Sequence, residues 1–81
     1  MNAEDAHNVL VEVFLDVAPD CDPTSVPGDA PYREVLAIDS MDFLNILELV
    51  AEETGVEVPE SDYDAIQTFD QFVAYLVHAT D

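Results

Sequence analysis

The sequence predicts an all-α fold, a bundle of three longer helices plus a short helix before the last, with a long loop between helices one and two. Three observations carry this. Apolar residues recur at helical spacing in three separate stretches. Capping residues, glycine or proline bracket each stretch. Strand signals are almost absent, since only Val56-Glu57-Val58 alternates and it is too short to pair alone. At 81 residues the chain, residues 1–81, is one domain near the lower end of sizes that fold unaided.

The first helix starts after Asn2, an N-cap residue, with Asp5 three positions later as the reciprocal acceptor. Ala6, Val9, Leu10, Val13, Phe14 and Val17 form its apolar stripe, and Pro19 ends it. Residues 19–39 then hold Pro23, Pro27, Gly28 and Pro31, a longer connection than compact domains usually contain. Val26, Tyr32, Val35, Leu36 and Ile38 are its candidates for anchors to the core. A second long helix opens at Asp39 or Ser40 and runs to about Thr54, where Gly55 offers a left-handed cap and Pro59 blocks continuation. Residues 60–66 hold one short helical turn or two. Thr68 and Gln71 form a capping box for the last helix, whose stripe is Phe69, Phe72, Val73, Leu76 and Val77.

Charge excludes several functions. Nineteen acidic residues face one basic side chain, Arg33, for a formal net charge of −18. Such a surface repels nucleic acid and anionic membranes and steers basic protein surfaces toward itself. A hydrophobic content of 49 % argues that the acids are a solvated coat on a folded domain rather than a mark of disorder. No apolar run approaches the ~20 residues that span a bilayer. The opening Met1-Asn2-Ala3-Glu4-Asp5 is acidic where a signal or transit peptide would be basic, so the cytoplasm is the expected compartment. The single cysteine, Cys21, can make no internal disulfide and reads as a loop or core-edge residue. His7 and His78 lie at opposite ends, and no Gly-x-Ser-x-Gly elbow or EF-hand loop occurs, so neither catalytic residues nor a metal site are expected.

The second long helix is the most informative segment. At ~100° per residue, Phe43, Leu44, Ile46, Leu47, Val50 and Ala51 share an apolar arc, and Asp42, Asn45, Glu48, Glu52 and Glu53 share the opposite one. Met41 and Leu49 fall among the acids. They are either stray surface hydrophobics packed against the preceding loop or the apolar centre of a docking face rimmed by carboxylates. Ser40 stands at the helix start after Asp39. Alone, it reads as a plain N-cap or first-turn serine, which is common, and only the surrounding pattern makes it an attachment point.

The run Ile38-Asp39-Ser40-Met41-Asp42, after a proline-rich loop, resembles the Asp-Ser-Leu signature of acyl carrier proteins. The likeness extends from Tyr32 to Leu76. It takes in Ala51-Glu52-Glu53, the turn Gly55-Val56-Glu57-Val58-Pro59, and Ile66-Gln67-Thr68 before the last helix. The resemblance implies a free-standing, non-enzymatic carrier whose Ser40 receives covalent 4′-phosphopantetheine, with Asp39 as cap and recognition residue. It implies a monomer whose partners are a phosphopantetheinyl transferase and acyl-loading and acyl-processing enzymes with basic docking surfaces. Met41, Asp42, Glu48, Leu49, Glu52 and Glu53 are the expected contacts to those partners. Met41 replaces the family's usual leucine, Asn45 a frequent glutamate, Glu48 a common apolar contact and Thr54 a frequent aromatic, which points to an unusual partner set. The alternatives are an aminoacyl or aryl carrier and an unmodified acidic interaction protein. Peptidyl carriers usually place glycines before the serine, and Ala37-Ile38-Asp39 stands here instead.

Overall fold

The computed structural model describes residues 1–81. Helix α1 spans Ala3–Val17, α2 Tyr32–Val35, α3 Ser40–Thr54 and α4 Phe69–Ala79. A 3₁₀ turn, Pro23–Ser25, interrupts the long loop, and a 3₁₀ helix, Glu60–Ile66, precedes α4. No strand forms. Val56 is buried and Val58 packs on the core, so their alternation reflects burial of a turn.

The helix ends follow local chemistry. The Asn2 side chain accepts the Asp5 N–H at 2.8 Å, but the Asp5 carboxylate does not return the bond, so this cap is one-sided. Gly55 closes α3 at φ 75° and donates its N–H to Ala51 O at 2.8 Å, a conformation that costs glycine little. At Thr68 the capping box is complete, with the Gln71 side chain bonded back to the Thr68 N–H.

Helix α1 packs against both α3 and α4, and the 3₁₀ helix packs on α4. Ala6, Leu10, Val13 and Phe14 supply the α1 face, Phe43, Ile46, Leu47 and Val50 that of α3, and Phe69, Phe72 and Leu76 that of α4. The long loop closes this core. Val26, Tyr32 and Ile38 are buried and Leu36 is half-buried, whereas Val35, expected as a fifth anchor, is 53 % exposed. Tyr32 stacks on Phe69 at 5.0 Å and meets Phe14 edge-on at 5.2 Å, and its hydroxyl donates to Ile66 O. Burial pushes that phenol well above its ordinary range. A bridge between Pro31 and Thr68 and a 3.0 Å bond from Asp70 N to Gly28 O tie the loop to the start of α4.

Two further sequence expectations need correction. The four-residue helix α2 lies inside what reads as loop. It is too short to show periodicity, starts after Pro31 and stops as Ala37 turns to φ 54°. In α3, Leu44 is not part of the buried arc. It is 54 % exposed, whereas Leu49 is half-buried against the core. Both lie about 110° from the centre of the buried arc at ~100° per residue. Neighbours decide between them: the end of α1, at Asp16 and Val17, lines one cleft with Leu49, and no helix covers Leu44.

Candidate functional site

The start of α3 is fixed from both sides. Upstream, Ile38 is buried and its N–H bonds Arg33 O at 2.9 Å, and Ala37 makes the turn that aims the chain into the helix. An alanine at φ 54° is strained by roughly 1–2 kcal/mol. Downstream, Phe43 is 4 % exposed and its N–H bonds Asp39 O at 2.9 Å. Asp39 takes the cap position, and its Oδ1 accepts the Asp42 N–H at 2.8 Å. The sequence left the opening residue between Asp39 and Ser40; Asp39 is the cap and Ser40 the first helical residue.

This division of labour leaves the Ser40 hydroxyl free. Ser40 is exposed, and its Oγ makes no hydrogen bond, because the carboxylate beside it already satisfies the first-turn N–H. The partial positive charge of a helix start favours a phosphate joined there. No histidine bonds Ser40. His7 lies on α1 against Phe69, with ring centroids 6.4 Å apart, and His78 is in the last turn of α4. The site therefore offers an accessible acceptor without a base to activate it. The groups with displaced pKa lie elsewhere. Burial raises Cys21, and a hydrogen bond to the Asp62 carboxylate raises Tyr75. No set of three or more histidines, cysteines or carboxylates is arranged to hold a metal ion.

The sequence-derived contact residues differ in exposure. Met41 is 74 % exposed, about 170° from the centre of the buried arc, with Leu44 and Glu48 within about 60° of it at ~100° per residue. Glu52 shares that side. Asp42 and Glu53 lie about 100° or more away, and Leu49 is half-buried in the α1–α3 cleft with Asn45, Glu48 and Glu52. The apolar pair at the surface is thus Met41 and Leu44, not Met41 and Leu49.

A second cleft, of ≈ 410 Å³, is walled in part by residues that bracket Ser40 in the chain. Ile38 and Phe43, which flank the serine in the chain, line it together with Tyr63 and Ile66 of the 3₁₀ helix and Gln67 just after it. Arg33 stands in it with its guanidinium carbon 4.3 Å from the centroid of the Phe43 ring. The sequence marked Arg33 only as the one basic residue. Its singularity among nineteen acids was the signal for a local role.

A family profile described as a phosphopantetheine attachment site matches residues 8–76. An acyl carrier protein of Rubrobacter xylanophilus is 32 % identical over 56 residues, 69 % of this chain and 69 % of that protein. A mitochondrial acyl carrier protein of Neurospora crassa is 30 % identical over 60 residues, 74 % of this chain and 45 % of its own length. Acyl carrier protein 2, mitochondrial, of Arabidopsis thaliana is 33 % identical over 55 residues, 68 % and 44 % of the two chains. The chain thus spans a little under half of the two mitochondrial relatives. No solved structure gives a significant match.

Proposed function

Because this chain belongs to the acyl carrier protein family, whose members are built around a phosphopantetheine attachment site, we propose that it is a non-catalytic carrier with Ser40 as its attachment residue. The observation that carries the reading is the exposed Ser40 hydroxyl, free of hydrogen bonds because Asp39 does the capping. The arm supplies a terminal thiol that holds acyl groups as thioesters. The chain's part is to keep the hydroxyl at a fixed, open position, with Ile38 and Phe43 buried on either side. A separate transferase supplies the activation that the site lacks.

The cargo we assign is an acyl intermediate of fatty-acid, polyketide or related synthesis, presented by a monomeric carrier to acyl-loading and acyl-processing enzymes. Met41 and Leu44 form the apolar centre of the partner face, with Glu48 and Glu52 beside them to guide basic surfaces in. We place the carrier in the cytoplasm, where an unpaired thiol such as Cys21 is at home.

Incubation with a broad-specificity phosphopantetheinyl transferase, coenzyme A and magnesium tests the attachment. The wild-type chain is expected to gain one arm and Ser40→Ala none, with Ser25→Ala and Ser61→Ala behaving as wild type. An arm still added to Ser40→Ala would refute the assignment. A folded wild type that takes up no arm would leave the unmodified acidic interaction protein as the better reading.

A further inference from the structure

Arg33 is the chain's one basic side chain, and it lines a cleft whose wall includes Ile38 and Phe43, which bracket Ser40 in the chain. Among nineteen carboxylates it forms no salt bridge within 4.0 Å, and its guanidinium makes no hydrogen bond. It is instead laid over the Phe43 ring at 4.3 Å, a cation–π contact that orients the planar fork while leaving its donors unused. The Phe43 ring is itself held, edge to face with Tyr63 at 5.2 Å and 87°. An unpaired cation in so acidic a chain is a site kept for an anion from elsewhere.

The backbone places that site next to the serine. Ser40 and Phe43 are three apart on α3, so their Cβ atoms are roughly 5–6 Å apart on one face. Side chains of a helix lean toward its N-terminus, which carries the Phe43 ring, and Arg33 stacked on it, back toward Ser40. Any phosphodiester formed at Ser40 enters a strongly negative field, with Asp39 and Asp42 in the same turn and a net charge of −18 overall. Arg33 is the one full positive charge that a side chain offers against it. Glu34 and Asp64 also line the cleft, Asp64 accepting the Gln67 side-chain N–H at 3.1 Å. Their carboxylates repel an anion, which leaves Arg33 as the one cleft side chain that attracts it.

We propose that Arg33 anchors the phosphate of the arm on Ser40, so that the first segment of the arm rests in the cleft against Phe43 and Tyr63. The inference rests on the carrier reading above and adds a resting position that this chain builds from its own residues. Guanidinium suits the task because its parallel donors match two phosphate oxygens, whereas an ammonium offers a point charge. Arg33 is a positioning residue. It holds the arm between encounters and takes no part in forming the bond at Ser40.

The test compares ¹⁵N-labelled protein with and without the arm, in the wild type, Arg33→Gln and Arg33→Lys, with intact mass confirming one arm per chain. In the wild type, arm attachment is expected to shift the amide of Tyr63, the side-chain amide of Gln67 and the Arg33 Nε–H, in addition to residues 39–42. The ³¹P line of the arm is expected to move on Arg33→Gln. Arg33→Gln should confine the amide shifts to residues 39–42, and Arg33→Lys should restore only part of the wider pattern. Melting curves of the unmodified proteins check the fold, and if Arg33→Gln does not fold, the reduced pattern in Arg33→Lys decides. Wild-type shifts confined to residues 39–42, or the same wide pattern in Arg33→Gln, would overturn the inference and leave the carrier reading intact. Failure of the folded wild type to take an arm would overturn the carrier reading and this inference with it.

Discussion

Helices α3 and α4 begin in opposite ways. At α4 the first turn is tied down by its cap, its loop contact and its core packing. Thr68 and Gln71 cap each other, Asp70 bonds the loop at Gly28, and Phe69 is buried among Phe14 and Tyr32. At α3 Asp39 caps and Phe43 is buried, but the residues between them are left largely free. Ser40 has a free hydroxyl, Met41 is 74 % exposed, and the nearby Arg33 has no ion partner. The difference teaches where this small domain places its stability and where it withholds it. The start of α4 closes the core, and the start of α3 leaves a hydroxyl and an apolar side chain exposed.

The contrast predicts the largest effect at the α4 start. Phe69→Ala removes a ring that touches three other aromatic rings and is expected to cost about 3–5 kcal/mol, enough to leave a domain of this size largely unfolded. Urea unfolding measures it, and a loss under 1 kcal/mol would show that the aromatic cluster is not the keystone of the fold.

Alkaline pH probes the same cluster without mutation. Burial raises the Tyr32 phenol, so the unfolded chain, with an ordinary tyrosine pKa of about 10, loses that proton at lower pH than the folded one. Its contribution is complete below about pH 10 and is lost as pH rises above it. Tyr75 and Cys21 are raised as well and act with the same sign, the cysteine from a little lower pH. The chain has no lysine to titrate in the same window. Unfolding free energies measured from pH 8 to 11 should therefore be flat at first and then fall, and Tyr32→Phe should make the fall shallower. A decline as steep in Tyr32→Phe as in wild type would place the sensitivity elsewhere.

At the α3 start the expected stability effects are small. Met41→Ala should change stability by about 0.5 kcal/mol or less, since the side chain is mostly in water. It should still slow modification by the transferase at every salt concentration. Glu48→Lys should slow modification mainly at low salt, where exposed charges act over more than ~10 Å. If Met41→Ala unfolds the domain and leaves transferase kinetics unchanged, the α3 start is core after all.

Much of this was legible in the sequence. The three long helices follow from Asn2, Gly55, Thr68 and Gln71 with their apolar stripes, and Asp39-Ser40 marked the open helix start. What escaped was set by contacts between distant segments. Periodicity puts Leu44 and Leu49 at equal angles from the core, and only the end of α1 decides which is covered. The cleft walled in part by Ile38 and Phe43 combines residues around 31–43 and 63–67, which no local pattern joins. Arg33 was visible as a lone cation, but its stacking on Phe43 depends on the four-residue α2, too short to be read.

The central claim is that the open start of α3 exists to carry an arm on Ser40. Its most direct test is the intact mass of the protein purified from its own host, with fragmentation to locate any addition. The account predicts a species heavier by one 4′-phosphopantetheine, with or without acyl cargo, and the added mass on Ser40. A chain found only at its unmodified mass, or modified at another residue, would contradict it.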